Sequence, residues 1–147
     1  MRNRPDEEAD VVLRAAASAL SGRERVVLAV SGGLDSIVLL DAVAVSRILA
    51  SSSILVATFD HQSGPHSSKA AAFVKKRAES LGLRCVVGIA TAPCFKEHEW
   101  REERWRFLNS TADIFRAPVV TAHTLDDQIE TVFMRILRDA GARGLAG

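Results

Sequence analysis

Residues 25–36 read Arg-Val-Val-Leu-Ala-Val-Ser-Gly-Gly-Leu-Asp-Ser (RVVLAVSGGLDS), an apolar run that breaks abruptly into two glycines, two hydroxyls and a carboxylate. The apolar half, RVVLAV at 25–30, reads as a buried strand. The stretch that follows, SIVLLDAVAVSRIL at 36–49, is apolar nearly all round, which suits a helix packed between a sheet and other helices. A strand, a glycine turn and a helix start in that order form an anion site, because the free N–H groups of the turn and the helix dipole both favour phosphate. Gly32 and Gly33 let a phosphate come close to the backbone, and Ser31 and Ser36 add hydroxyl donors. Asp35 cannot hold a phosphate itself; it makes sense as a ligand for the Mg²⁺ that accompanies one, so a nucleotide fits better than a bare anion. The pattern is neither GxxxxGK[ST], which needs a lysine, nor GxGxxG.

Outward from this stretch the chain alternates. Val12, Leu13, Ala16, Ala17 and Leu20 have helical spacing within residues 6–20, and Ser21-Gly22 ends that helix. SSSILVATF at 51–59 reads as a second strand. Ser67 and Ser68 are candidate caps for a helix running through Leu81 and closed by Gly82, and LRCVVGIA at 83–90 is a third strand. Trp100, Phe107, Leu108, Thr111 and Phe115 mark one stripe of a helix over 96–115, with Pro118 as the breaker before strand VVTAH at 119–123. LDDQIETVFMRILRD at 125–139 is the final helix. Buried strands alternating with helices predict an α/β fold, a three-layer doubly wound parallel sheet with helices on both faces and right-handed crossovers. One domain over 1–147 is expected, with an N-terminal helix in 1–22 and a core in 24–147. In such a sheet ligands bind beyond the carboxyl ends of the strands, where Ser31, Asp60, His61 and His123 all fall.

The net charge of +1 excludes an overall basic character, although arginines cluster at Arg101, Arg104 and Arg106 and again at Arg135, Arg138 and Arg143. Cys85 and Cys94 are too few for a disulfide framework and too far apart for a CxxC pair, so they read as reduced thiols of a cytoplasmic protein. No apolar run reaches a membrane span and the acidic N-terminus lacks a signal peptide's pattern, so no membrane is expected. His66 and His98 read as polar loop or helix residues, and no partner ligands are spaced to make His123 a zinc site.

SGGLDS at 31–36 resembles the SGGxDS signature of the PP-loop ATP pyrophosphatases, whose members cleave ATP to AMP and pyrophosphate. TAHTLDDQIET at 121–131 and KEHEWREERWRFL at 96–108 narrow the resemblance to the tRNA(Ile)-lysidine synthetase family. The first matches its TAHxxDDQxET motif; the second matches ExxxRxxRY through Glu97, Arg101 and Arg104, with Trp105 where a tyrosine is usual. RILRDAGARGLAG at 135–147 resembles RLxRGxGxxGLxG, with Asp139 in place of a glycine. Asp60 and His61 match the start of the family's DHGLR, but Gln62-Ser63-Gly64 departs from it. The resemblance runs from Val26 to Gly147 and covers only the first domain of the family's architecture, so a downstream tRNA-binding region is expected to be absent.

What the resemblance implies is ATP and Mg²⁺ as cofactors, and as partners free L-lysine and a tRNA(Ile) with a CAU anticodon, with room for a homodimer. The wobble cytidine is adenylated at C2 with loss of pyrophosphate, and lysine then displaces AMP. It assigns ATP to Ala29, Ser31, Gly32, Gly33, Asp35, Ser36, Asp60, His61 and His123, catalysis to Asp35, Arg101, Arg104 and Asp127, lysine to Asp126, Asp127 and Glu130, and metal to Asp35 and Asp127. Competing readings are a first-turn capping box for the acidic trio, a salt-bridged surface helix for the arginines, a tRNA thiolase, which would normally carry paired cysteines, and a nucleotide-binding fragment inactive alone.

Overall fold

In a computed structural model of the chain, residues 4–91 and 96–122 are described. The elements in order are helix α1 (Arg4–Leu20), strand β1 (Val26–Ala29), helix α2 (Leu34–Ser46), strand β2 (Ile54–Asp60), helix α3 (Pro65–Ser80), strand β3 (Arg84–Ile89), helix α4 (Glu97–Phe115) and strand β4 (Val119–Thr121). All pairings are parallel and the sheet order is β3-β2-β1-β4. The chain therefore builds outward from β1 through β2 to β3, then crosses back to lay β4 on the other side of β1. The order reverses between β1 and β4, the position at which an open α/β sheet leaves a crevice beyond its strand ends.

The period of two along each strand explains why both faces are covered. Val26, Leu28, Val30, Ile54 and Val56 point to one side, where Ala16 and Leu20 of α1, Leu40 and Val43 of α2 and Val74 and Ala78 of α3 complete a buried cluster. The intervening Val27, Leu55 and Ala57 point to the other, against Leu108 of α4 with Trp105, Phe107 and Phe115 around it. Strand residues 26–28 and 54–57 are thus apolar without alternation because neither face meets water.

Three boundaries differ from the sequence reading. α2 stops at Ser46 because Arg47 turns left-handed at φ 49° and caps it. Ser51–Ser53 form a 3₁₀ turn rather than the start of β2. α3 begins three residues earlier than a cap at Ser67 implies, with Gly64 at its N-cap and Pro65 in the first turn, where a proline loses no helical bond. Ser67 and Ser68 are not its caps; their hydroxyls go to Asp60. α2 is also less enclosed than its composition suggests, since Leu34 and Val45 are 78% and 65% exposed. The helix expected over 125–139 lies outside the described residues. Among those described, no helix is long and apolar enough to cross a membrane.

Candidate functional site

The glycine turn occupies the carboxyl end of β1. Val30 N–H still bonds Ala57 O at 2.9 Å, so the chain is held in the sheet until the residue before the turn. Gly32 then adopts φ +90°, and a Cβ built there would lie 3.2 Å from Ala70 Cβ and 3.5 Å from both Ala70 O and Val74 Cγ2 of α3. Only glycine suits this position, on conformation and on space. Ser36 Oγ donates to Gly33 O at 2.8 Å, Ser31 Oγ lies 3.3 Å from Ser36 Oγ, and Gly33 N–H points to Ser31 Oγ at 3.4 Å. The two hydroxyls thereby tie the turn to the first turn of α2, whose leading N–H groups have no intrahelical acceptor. Asp35 is exposed in that same first turn.

This turn is one wall of a cavity of about 700 Å³, large enough for a nucleotide. Ala29, Ser31, Gly32, Gly33, Asp35 and Ser36 line it, together with His61 from the end of β2. His66, Ser67 and Ala70 of α3 form a second side, Arg104, Trp105 and Leu108 of α4 a third, and Thr121 and Ala122 close it at β4. The cavity thus sits at the strand-order reversal between β1 and β4.

The wall carries one carboxylate, Asp35, and one guanidinium, Arg104. Arg104 is half-buried on the wall, where burial and the neighbouring Arg101 lower its hold on its proton, though a guanidinium stays charged. Burial also holds the His61 imidazole below its ordinary value; Arg104 adds to this, and Asp60 and Glu103 pull the other way. The ring packs edge-on to Phe59 at 5.0 Å and lies 5.7 Å from Trp100, and its buried Nδ1 has no partner among the described residues. Trp100 Nε1 is similarly buried and unpaired.

The sequence candidates separate. Arg104 lines the cavity; Arg101, half-buried one turn earlier, does not, and Glu97 is exposed. Asp60 is buried and absent from the cavity wall, its carboxylate engaged by Ser67, Ser68 and Gln62 N–H. Burial raises its proton affinity, but these three donors outweigh that and hold the carboxyl below its ordinary value. His123, Asp126, Asp127 and Glu130 lie outside the described residues. Sequence reasoning read His66, which the first turn of α3 brings onto the wall, as a polar loop or helix residue, Ser67 as a helix cap and Thr121 only as part of the TAHxxDDQxET match, and did not place these or Phe59 at the site. Their position just past a strand end at the reversal was the available signal. Among the described residues no three His, Cys, Asp or Glu gather as a metal cluster. Asp35 is one exposed carboxylate on the cavity wall, and a single protein carboxylate completed by phosphate oxygens and water is an ordinary Mg²⁺ environment. Cys85 is a free thiol that burial, helped by Glu79, pushes up to about 11, so it is inert rather than nucleophilic.

Residues 6–147 match the family model of the PP-loop domain. Curated relatives called tRNA(Ile)-lysidine synthase include one from Thermosipho africanus, 36% identical over 132 residues (84% of this chain, 31% of the relative). Another from Streptococcus sanguinis is 37% identical over 124 residues (84% and 29%), and one from Salinispora tropica is 41% identical over 128 (83% and 38%). The chain spans about a third of the length of these relatives. Among solved structures, a U34-tRNA thiolase from Methanococcus maripaludis superposes with TM-score 0.68 at 15% identity, covering 93% of this chain and 51% of that one. An NH3-dependent NAD synthetase from Campylobacter jejuni gives TM-score 0.61 at 12% identity, covering 87% and 59%. At those identities the likeness is one of fold.

Proposed function

This chain belongs to the PP-loop domain family, and from that premise we propose that it is the ATP-using unit of a tRNA-modifying enzyme that forms lysidine. The observation that carries the reading is the glycine turn and Arg104 facing one nucleotide-sized cavity at the strand-order reversal. The names of the curated relatives, tRNA(Ile)-lysidine synthase, support a tRNA modification of this kind.

In this reading the triphosphate of ATP lies against the N–H groups and hydroxyls of 31–36. The C2 oxygen of the wobble cytidine attacks the α-phosphorus; the new P–O bond forms as the bond to pyrophosphate breaks, and pyrophosphate leaves. The amine of free lysine then attacks C2, loses a proton, and expels AMP. Such steps depend on charge stabilisation and positioning more than on a protein nucleophile. Ser31, Gly33 N–H and Ser36 hold the departing pyrophosphate, and Arg104 meets charge developing at the α-phosphate with a two-pronged donor. Arg101 keeps Arg104 company from outside the wall. His61, neutral between Phe59 and Trp100, offers a flat face for a base. Asp35, with Asp127, would hold Mg²⁺, which when bound supplies neutralising charge to the phosphates. His123 shapes the ATP side of its loop, and Asp126, Asp127 and Glu130 receive the lysine ammonium, their carboxylates grouped at a predicted helix start.

A second reading is a nucleotide-binding unit that has no turnover by itself, since the described cavity holds groups suited to phosphate and none that identifies an RNA base. Labelled lysine, ATP and Mg²⁺ with two tRNA(Ile) transcripts, bearing C or U at the wobble position, separate the two. Label in the C transcript alone supports the first. ATP binding without label in either supports the second, and absence of ATP binding refutes both.

A further inference from the structure

The Asp60 carboxylate at the end of β2 is committed within the protein. Its Oδ1 accepts the Ser67 hydroxyl at 2.5 Å and Gln62 N–H at 2.8 Å, and its Oδ2 accepts the Ser68 hydroxyl at 2.7 Å. Ser67 Oγ in turn accepts His61 N–H at 2.9 Å. These bonds fasten a strand end to the opening turn of a helix that has no side-chain cap of its own. Between them runs a turn in which Gln62 is left-handed at φ 53° and Gly64 stands at φ 143°. Pro65 and the Ser67 N–H bond to Gly64 O at 3.1 Å open the helix locally, and the Asp60 bonds are what tie that opening to the end of β2. What α3 carries matters to the cavity: His66, Ser67 and Ala70 are on its wall, and Ala70 is the residue against which Gly32 is pressed.

We propose that Asp60 is a positioning residue for nucleotide binding: through Ser67 and Ser68 it fixes the start of α3, and α3, through Ala70, fixes the curve of the glycine turn. This rests on the nucleotide reading above but assigns Asp60 no contact with ATP. A carboxylate that already accepts three hydrogen bonds, and that is kept off the cavity wall, has a poor claim to be a ligand. The departure from the family's DHGLR fits too. Gln62 occupies the glycine position of that motif in the left-handed conformation which explains a glycine there, and the Asp60 bond to its N–H holds it in place.

Ser68 is the clean probe, since among the described residues its hydroxyl meets only Asp60 and it does not line the cavity. The two tryptophans of the chain, Trp105 on the wall and Trp100 beside His61, report ATP binding by fluorescence. Hydrogen exchange of the ligand-free protein reports the amides of 66–70 and 32–34. If the clasp positions the turn, Asp60→Asn raises the Kd for ATP about ten-fold and Ser68→Ala about three-fold, by depleting the competent conformation. Both variants exchange faster at 66–70 and at 32–34, and the Mg²⁺ dependence of binding is unchanged. Asp60→Asn weakening ATP while Ser68→Ala behaves as wild type, with exchange unaltered, would mean that Asp60 meets the ligand directly and overturn the proposal. Faster exchange confined to 66–70 with an unchanged Kd would overturn it as well, leaving a helix clasp without influence on the turn. Should Asp60→Asn not fold, Ser68→Ala decides alone. A wild-type chain that binds no ATP removes the nucleotide reading, and exchange at 32–34 then still decides whether Asp60 shapes the turn.

Discussion

The two glycines of the turn stand side by side, yet the structure gives them different jobs, and alanine at each makes the difference measurable. At Gly32 a side chain meets two penalties. Holding φ +90° costs a non-glycine residue about 1–2 kcal/mol. The new methyl also lies 3.2 Å from Ala70 Cβ, on a helix that is packed against β2 and cannot swing aside as a flexible side chain would, and such overpacking costs about 1–3 kcal/mol. Together Gly32→Ala loses roughly 2–5 kcal/mol, which for a domain of this size lowers the melting temperature by roughly 5–15 °C. At Gly33, by contrast, φ −71° and ψ 159° suit any residue and the nearest neighbour of a built Cβ is Ser31 Oγ at 3.5 Å. Gly33→Ala therefore changes stability by less than about 1 kcal/mol, while placing a methyl where the phosphate must approach and weakening ATP by about ten-fold or more. Thermal unfolding followed by circular dichroism, with an ATP titration on tryptophan fluorescence, reads both effects. A Gly32→Ala chain that melts within about 2 °C of wild type, or a Gly33→Ala chain that binds ATP normally, refutes the reasoning for that position.

Arg104→Lys keeps the charge on the cavity wall but loses the planar fork; adenylation or ATP binding is expected to fall about ten-fold, and undiminished activity would reduce Arg104 to a point charge. Gly88→Ala sets a methyl 2.6 Å and 2.7 Å from the rings of Phe59 and Phe107, so a loss of about 1–3 kcal/mol is expected in denaturant unfolding. His61 and Asp60 both have lowered proton affinity in the folded chain, so the stability each contributes is complete above its unfolded value and lost as pH falls through its folded one. Unfolding midpoints should therefore begin to fall below about pH 6.5 as His61 is forced to charge, and fall again in the acid range as Asp60 protonates. His61→Gln should flatten the first of these declines. Gln62→Gly keeps the N–H bond to Asp60 and relieves the left-handed strain of about 1 kcal/mol at φ 53°, so the melting temperature should rise by a few degrees, and one that does not rise would refute strain at this position.

The parallel α/β layering and the chemistry of the turn were legible in residue order alone. Unbroken apolar runs such as Val26–Val30 and Ile54–Ala57 have nowhere to sit except between two covering layers, and a glycine turn between strand and helix leaves its N–H groups facing outward. Those are local properties, written in hydrophobic period and residue type. Which polar residues share the cavity is set instead by how the elements pack. Whether a side chain at a strand end reaches the crevice depends on strand order and on where neighbouring helices begin, and neither is encoded within a few residues of it. Arg101 and Arg104 look equivalent three residues apart, yet 300° of helical rotation and the lie of α4 across β1 and β2 leave Arg104 alone on the wall. Asp60 reads as a ligand because it ends a strand at the right edge. It is drawn inward because Ser67 and Ser68, seven and eight residues on, fold back to it with hydroxyls that no local rule would have paired to its carboxylate. His66 reads as a polar loop or helix residue and reaches the cavity because Pro65 starts α3 three residues earlier than a cap at Ser67 suggested.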